Sequence, residues 1–444
     1  MRVGGFRLAD YKEEYGSIMQ FNQNKNKYIH GWYSFVEGYS KEFIRSIVDE
    51  YNEINGYQPK LCVEPFTGSG TTPLELQKLG LKCKAFEVSP FMYNLAVAKM
   101  TTSYTVKSFQ KYYNFIKESF ECEKENINQL VELNASKRIV EKDGLEKWNF
   151  DKEVMDGILD IKYAINHINS KKYECIFKIA LASILLEVSN VYRNGKCISY
   201  KPNWKEKKFS RKDVHKIYLD RLNSAFLPDI KKIDKLKRNK HKLLSNAKMC
   251  YLGDVRKNLD KKVEDNSVDL VITSPPYLNS RDYTDTYMIE LRVLDYLKND
   301  EQVRNLRKST IRSHVQVNWE ESLYSGIEEL DNSIKQINEN KEKLWNKSLL
   351  DMINGYFEDM DNLFKILYKK MKSNGRIYFN VANSAYCGVE IEVDVIVAKI
   401  AERIGFKIIE IREARRINPS SQQKDTIEYL RESVIVIEKQ LAIS

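Results

Sequence analysis

Two consecutive prolines, Pro275 and Pro276, follow directly on the apolar run Val268-Asp269-Leu270-Val271-Ile272. A short run so rich in apolar and β-branched residues reads as a strand buried on both faces. Proline lacks an amide hydrogen and has a fixed φ, so neither residue can continue a ladder and the chain must leave the sheet at Thr273-Ser274. The stiff loop that results holds a serine hydroxyl, a prolyl carbonyl with no helical partner and the ring of Tyr277 side by side. In an open α/β sheet, ligands sit at the carboxyl ends of strands. This loop is therefore a candidate site.

A second signal lies upstream. The short apolar run Leu61-Cys62-Val63 ends in Glu64 and turns through Pro65-Phe66-Thr67-Gly68-Ser69-Gly70 into a helical pattern of Leu74, Leu76 and Leu79, stopped by Gly80. Glycines let a ligand approach the backbone, and a helix start presents free N–H groups. No lysine follows Gly70 as a phosphate loop requires, and Pro73 stands where a dinucleotide fingerprint needs its third glycine. The next strand reading, 83–88, carries Glu87, an acidic residue suited to the hydroxyls of a ribose. Strand, glycine loop, helix, strand and a helix over 92–100 make the opening of an α/β sheet. Strand signals return at 249–252, 268–273 and 376–381. A helix over 356–371 precedes the Asn374-Gly375 turn, and another covers 393–404. The runs 407–411 and 433–437 read as a closing antiparallel hairpin.

The alternation breaks twice. Residues 101–247 are dominated by helical patterns, with Asn194-Gly195 marking a turn, and 299–354 form a smaller polar, helical stretch. The expected organisation is a catalytic unit over 1–100, 248–298 and 355–444, with insertions at 101–247 and 299–354. The net charge of +10 is concentrated: residues 201–242 hold fifteen Lys or Arg against five Asp or Glu, so that segment carries the whole excess. Trp204, Phe209 and Tyr218 are interleaved with these charges. A concentrated basic stretch is the footprint of a polyanion partner, though a solvated lysine-rich face has the same composition. The seven cysteines, at 62, 83, 122, 175, 197, 250 and 387, form no Cys-x-x-Cys pair, and the five histidines lack ligand spacing, so neither a disulfide framework nor a metal site is expected. The apolar run over 176–188 is interrupted by Lys178, Ser183 and Glu187 and is too short to span a bilayer. With no apolar leader in the first residues, a cytoplasmic protein is expected.

Taken together, Phe66-Thr67-Gly68-Ser69-Gly70 and Ser274-Pro275-Pro276-Tyr277 resemble the F-x-G-x-G and (D/N/S)-P-P-(Y/F/W) motifs of the DNA amino-methyltransferases. The resemblance covers the core segments near 20–100, 249–297 and 355–440. It implies an α/β fold with a Rossmann-like methyltransferase sheet, an antiparallel C-terminal hairpin and a mainly helical insertion domain. It also implies S-adenosyl-L-methionine as cofactor, bound by Glu64, Phe66, Thr67, Gly68, Ser69, Gly70, Glu87 and Asp254, with residues 28–33 as a further wall and Asn383 lining the pocket. Ser274, Pro275, Pro276 and Tyr277 would be catalytic. Double-stranded DNA would be held by Arg193, Lys196, Lys201, Lys205, Lys207, Lys208, Arg211 and Arg281.

The Thr-Ser-Pro-Pro-Tyr form is most similar to enzymes that methylate N4 of cytosine. The order of parts here is cofactor motif, long insertion, catalytic motif, whereas many cytosine-N4 enzymes place the catalytic motif first. Adenine N6 is thus the alternative target. An RNA base amino-methyltransferase and a DNA-binding protein that has lost catalysis are further alternatives. A cognate restriction endonuclease is a conceivable partner, and the oligomeric state is left open.

Overall fold

The computed structural model describes residues 1–35, 38–120, 138–194, 197–239, 241, 243–279 and 281–441. The strands, in chain order, are β1 (Arg2–Val3), β2 (Phe6–Asp10), β3 (Leu61–Glu64), β4 (Lys82–Glu87), β5 (Val191–Asn194), β6 (Cys197–Tyr200), β7 (Cys250–Leu252), β8 (Val268–Thr273), β9 (Met371–Ala382), β10 (Ser384–Tyr386), β11 (Val389–Ile391), β12 (Phe406–Ile417) and β13 (Leu430–Lys439). Nine of them form one sheet in the order β1-β2-β12-β13-β9-β8-β3-β4-β7. The pairs β7–β4, β4–β3, β3–β8 and β8–β9 are parallel, and β13 is antiparallel to both of its neighbours, β9 and β12. This is the expected Rossmann-like methyltransferase sheet with its antiparallel C-terminal hairpin.

β8 is buried along its whole length, which is why its sequence shows no inside–outside alternation. Helices cover both faces. On one, Val255–Lys262, Leu349–Lys370 and Val393–Ile404 pack on β8 and β9 through Leu259, Phe364 and Val397. On the other, Lys41–Asn55 supplies Phe43, Ile44, Ile47, Val48 and Tyr51. These residues form one stripe at helical spacing, and the helix ends at Gly56, φ 72°.

The first insertion is helical as expected, with helices Val106–Ser119, Lys152–Asn166, Lys171–Val188, Arg211–Arg221 and Leu227–Arg238. It also holds the antiparallel pair β5–β6; the turn expected at Asn194-Gly195 falls on Gly195, which lies outside the described residues. Its apolar core is continuous with that of helix Pro90–Met100, through Phe91, Leu95, Ile176 and Leu181. The insertion is thus packed onto the sheet domain without a separating solvent layer. The second insertion joins the opposite core through Ile311, Leu330 and Ile337. The helix expected at 356–371 begins earlier, at Leu349, so the expected boundary at 355 falls inside it. The Asn374-Gly375 turn proves to be an irregularity within β9, with Asn374 at φ 64° and a register shift against β8. Among the described residues, no helix is long and apolar enough to cross a membrane.

Asp269, near the start of β8, joins three segments. It accepts from the amides of Lys60 and Leu61, both at 2.9 Å, and from Lys372 Nζ at 2.7 Å. Its side chain is 4% exposed, so its loss would strand backbone donors away from water. Asp269→Ala is expected to lower stability by about 2–4 kcal/mol. The check is the urea midpoint at constant m-value, and an unchanged midpoint would refute the role. Activity per folded molecule should persist, because Asp269 lies at the opposite end of β8 from Ser274.

Candidate active site

β3 pairs with β4 on one side and β8 on the other, and the chain fills the β4–β7 side before crossing to β8. Such a reversal opens a crevice at the carboxyl ends of the central strands. A cavity of about 440 Å³ lies there. Phe66 to Ser69 reach it from the end of β3, Glu87 to Ser89 from β4, Gly253 to Val255 beyond β7, and Ser274 to Tyr277 beyond β8. Asn380 of β9, Arg415 of β12 and Glu432 of β13 complete that side.

The glycine loop is shaped by backbone needs. Gly68 has φ 51° and Gly70 φ 84°, both in the left-handed region that disfavours side chains. A Cβ on Gly70 would come within 2.9 Å of Ala96 Cα, so this glycine serves the contact between two helices and does not line the cavity. Gly68 does line it, and its amide donates to Glu87 Oε2 at 2.7 Å while Ser89 N donates to Oε1 at 2.8 Å. Burial pushes the Glu87 carboxyl up to about 7, against these backbone donors, which lower it.

Glu64 was expected to touch a ligand but lies under the cavity floor. Its carboxylate accepts from Tyr39 OH at 3.0 Å, from Phe66 N at 3.0 Å and from Thr273 Oγ1. Asp254 caps helix Val255–Lys262 and is held by Arg256, whose Nε and Nη2 both lie 2.9 Å from its oxygens. Arg256 also donates to the carbonyl of Thr310 at 3.1 Å and to Asp359 at 2.8 Å. It thereby fixes the loop from Ser309 to His314, which forms another wall of the cavity.

At the β8 end, Tyr277 OH donates to Glu432 Oε1 at 2.6 Å and accepts from Asn380 Nδ2 at 2.8 Å; Ser274 Oγ stands 3.5 Å from the same hydroxyl. Burial, with Glu432 beside it, holds the Tyr277 phenol neutral, well above its ordinary value. Glu432 is paired in turn with Arg415.

Several expectations change. Residues 28–33 do not line the cavity: His30 bonds Glu75 at 2.7 Å, Trp32 bonds Asp229 at 2.8 Å and Tyr33 bonds Glu290 at 2.7 Å. The N-terminal wall is instead Met19 to Asn22 with Phe35 and Tyr39. Asn383 also lies off the cavity, donating to Glu390 at 3.0 Å. Asn380, a polar residue inside the apolar run 377–381, takes that position. A polar residue in a buried strand is the sequence signal that could have found it.

Of the basic residues, Arg193 is buried, donating to Glu290 at 2.6 Å, Tyr33 OH at 2.9 Å and the Thr286 carbonyl at 3.0 Å. Lys201 caps the end of helix Lys171–Val188, donating to the carbonyls of Leu186 and Glu187 at 2.8 and 2.9 Å. Arg211 clasps Asp160 with two nitrogens, at 2.5 and 2.7 Å. Arg193 and Lys201 have their donors engaged inside the chain, so the expectation that they face DNA is corrected, whereas the Arg211 side chain remains 46% exposed beside Asp160. Lys205, Lys207, Lys208 and Arg281 are exposed, and Lys196 lies outside the described residues.

Burial also raises the Glu64 carboxyl, from an ordinary 4.5 to about 7. Between those values the folded chain keeps a proton that the unfolded chain has lost. The Glu64 contribution to stability is therefore fully present below about 4.5 and is lost as pH rises towards 7. Glu64→Gln is expected to remove this fall. The stability difference between variant and wild type should shift by on the order of 3 kcal/mol between pH 4.5 and pH 8. Denaturant titrations at the two pH values measure it, and a difference independent of pH would contradict the argument.

A sequence model of the DNA methylase family, of the N6/N4 methyltransferase type, matches residues 268–442. The Type II methyltransferase M.BsoBI of Geobacillus stearothermophilus is 29% identical over 467 residues, covering 95% of this chain and 88% of that protein. The Type II methyltransferase M.AvaI of Nostoc sp. and that of Anabaena variabilis are each 25% identical over 420 residues, covering 89% of this chain and 82% of theirs. Residues 268–442 thus match the N6/N4 DNA methylase family, and most of the chain is similar to Type II methyltransferases.

Proposed function

We propose that this protein transfers a methyl group from S-adenosylmethionine to the N4 amine of a cytosine in double-stranded DNA, as the modification partner of a restriction endonuclease. The observation that carries this reading is the convergence of Phe66 to Ser69 and Ser274 to Tyr277 on one cavity. The pairing with an endonuclease rests on the relatives, which are Type II methyltransferases.

The cavity residues fit the cofactor. A volume of about 440 Å³ lies within the range of small-molecule sites. Phe35 and Phe66 offer apolar walls, and Gly68 leaves backbone open where a Cβ would come within 3.2 Å of the Phe35 ring. Glu87 would take the ribose hydroxyls and Asp254 the adenine amine. When bound, the cofactor supplies an electrophilic methyl group on a sulfonium.

The chain's own task is to make a poor nucleophile attack. An exocyclic amine has its lone pair delocalised into the ring. Hydrogen bonds accepted from its two N–H groups localise that pair on nitrogen. Ser274 Oγ and the Pro275 carbonyl are the acceptors, and the two prolines hold them in place without reorganisation. The Tyr277 ring, its hydroxyl already fixed by Glu432 and Asn380, offers a flat face for a base turned out of the duplex. Turning it out costs a few kcal/mol that binding must offset. Among the described residues no cysteine lines the cavity, so no covalent adduct to the ring is called for. Lys205, Lys207, Lys208 and Arg281 would hold phosphates. Adenine N6 is the second reading, favoured by the order of the motifs along the chain.

Incubation with labelled cofactor and mixed DNA and RNA, followed by digestion to nucleosides, is expected to yield N4-methylcytosine from DNA. N6-methyladenine would transfer the reading to the second target, and label in RNA alone would refute both. Ser274→Ala is expected to lower turnover about 100-fold or more while the cofactor dissociation constant stays within twofold. Unchanged turnover would remove Ser274 from the mechanism.

A further inference from the structure

The pair β5–β6 stands beside one wall of the cavity. Arg193 of β5 donates to the carbonyl of Thr286 at 3.0 Å and lies 4.5 Å from the ring centroid of Tyr287, which lines the cavity with Tyr283 and Thr284. The root of the pair is fixed too. Lys201 N donates to the Asn190 carbonyl at 2.9 Å, and Asn190 N to the Asn149 carbonyl at 2.7 Å. Trp204 packs on Tyr200 at 5.3 Å and on Trp148 at 5.1 Å.

Successive residues of a strand face opposite sides, and residues opposite each other in an antiparallel pair share a side. Val191 pairs with Tyr200, and Arg193 with Ile198. That side is turned inward: Val191 is buried, Arg193 is held by Glu290, and Ile198 and Tyr200 pack against the core of the first insertion. Tyr192, paired with Ser199, and Asn194 occupy the other side. Tyr192 is 40% exposed, and Asn194 is exposed. Among the described residues no hydrogen bond engages the side chains of Tyr192, Asn194 or Ser199.

The outer face thus offers a phenol, an amide and a hydroxyl on a ribbon two strands wide. Two strands lie about 4.8 Å apart, and the major groove of duplex DNA, about 12 Å wide, admits such a ribbon. The Asn194 amide sets a donor and an acceptor side by side, so it can grip one base edge at two points. The surrounding charge suits the same partner. Exposed Lys147 lies over the Tyr200 ring at 5.6 Å and exposed Lys205 over Trp204 at 5.5 Å, so cations from two segments flank the root of the ribbon. Lys207 and Lys208 follow, also exposed, with Glu206 as the one acid between Lys201 and Lys208.

We propose that the outer face of β5–β6 reads base-pair edges in the major groove next to the target base. Tyr192, Asn194 and Ser199 make the sequence-choosing contacts, and Lys147, Lys205 and Lys207 hold the flanking phosphates. The base pairs met are those beside the nucleotide that enters the cavity, because Arg193 ties the ribbon to the Thr286–Tyr287 wall. This rests on the reading of the chain as a methyltransferase of double-stranded DNA and names the surface that selects its site.

The test uses the full chain, after the methylated site has been mapped on plasmid DNA treated with the wild type. Values of kcat/KM are measured on the mapped duplex and on duplexes with one flanking base pair exchanged at a time. Affinity for a duplex without the site is measured by fluorescence anisotropy across a salt series. Asn194→Ala is expected to lower the preference for the mapped base pair at one flanking position about tenfold, with affinity for the site-free duplex and its salt slope unchanged. Tyr192→Phe and Ser199→Ala should each lower the preference at a flanking position. Lys207→Ala should weaken every duplex alike and make the salt slope shallower by about 1. Cofactor affinity equal to that of the wild type shows the variants to be folded. Unchanged site preference in all three outer-face variants, the result for a face that docks a partner protein or a second copy, would overturn the proposal, as would an equal loss on every duplex. Failure of the underlying reading shows separately in the wild type, as label in RNA and none in duplex DNA.

Discussion

Three donors from three parts of the chain converge on the carboxylate of Glu64, beneath the crevice where β3 and β8 leave the sheet. Thr273 comes from β8, Tyr39 from the N-terminal segment and the Phe66 amide from the glycine loop. Tyr39 is itself 2.7 Å from Thr72 at the start of the next helix. A buried carboxylate is expensive unless such donors satisfy it. The same requirement makes it a rigid junction, since releasing any partner leaves polar groups stranded. The two segments that line the cavity, 66–69 and 274–277, are separated by some two hundred residues of chain. Beyond the pairing of β3 with β8, this group ties the two segments together.

The parts of the site legible in the sequence are those where the backbone itself is constrained. Pro275 and Pro276 force an exit from the sheet, and Gly68 and Gly70 occupy left-handed conformations. Both leave a mark that needs no knowledge of the rest of the fold. Glu87 and Asp254 were legible for a related reason: each follows a short apolar strand, and strand ends in this architecture meet the crevice. The alternation of strand and helix likewise marked the central strands and the antiparallel C-terminal hairpin, but not the N-terminal strands β1 and β2 at the sheet edge.

What stayed hidden depends on packing between distant segments. Arg415 and Glu432 lie on neighbouring strands in register near the cavity, and nothing local distinguishes them from other strand charges. The reading of basic residues as DNA-facing misled for the same reason. Arg193 and Lys201 were read so, yet each meets an internal acceptor: Glu290 and the end of helix Lys171–Val188. Composition records the charge but not its partner. The aromatic stretch 28–33 shows the complementary error, because large aromatic side chains fill cores more often than they line sites.

Two paired arginines, Arg193 and Arg256, explain how two insertions can frame one crevice. Arg193, on the hairpin of the first insertion, lies 4.5 Å from the ring centroid of Tyr287, a cavity residue that stacks on Phe35 at 5.9 Å. Phe35 in turn covers the face of Gly68. Arg256 does the equivalent for the second insertion, gripping Asp254 and the Thr310 carbonyl together. Removing one partner of a buried pair strands the other charge, at a cost of about 3–5 kcal/mol. The insertions are therefore held against the site by contacts too costly to break locally. A DNA strand lying on Lys205, Lys207 and Lys208 would be docked on an element whose position relative to the glycine loop is already set.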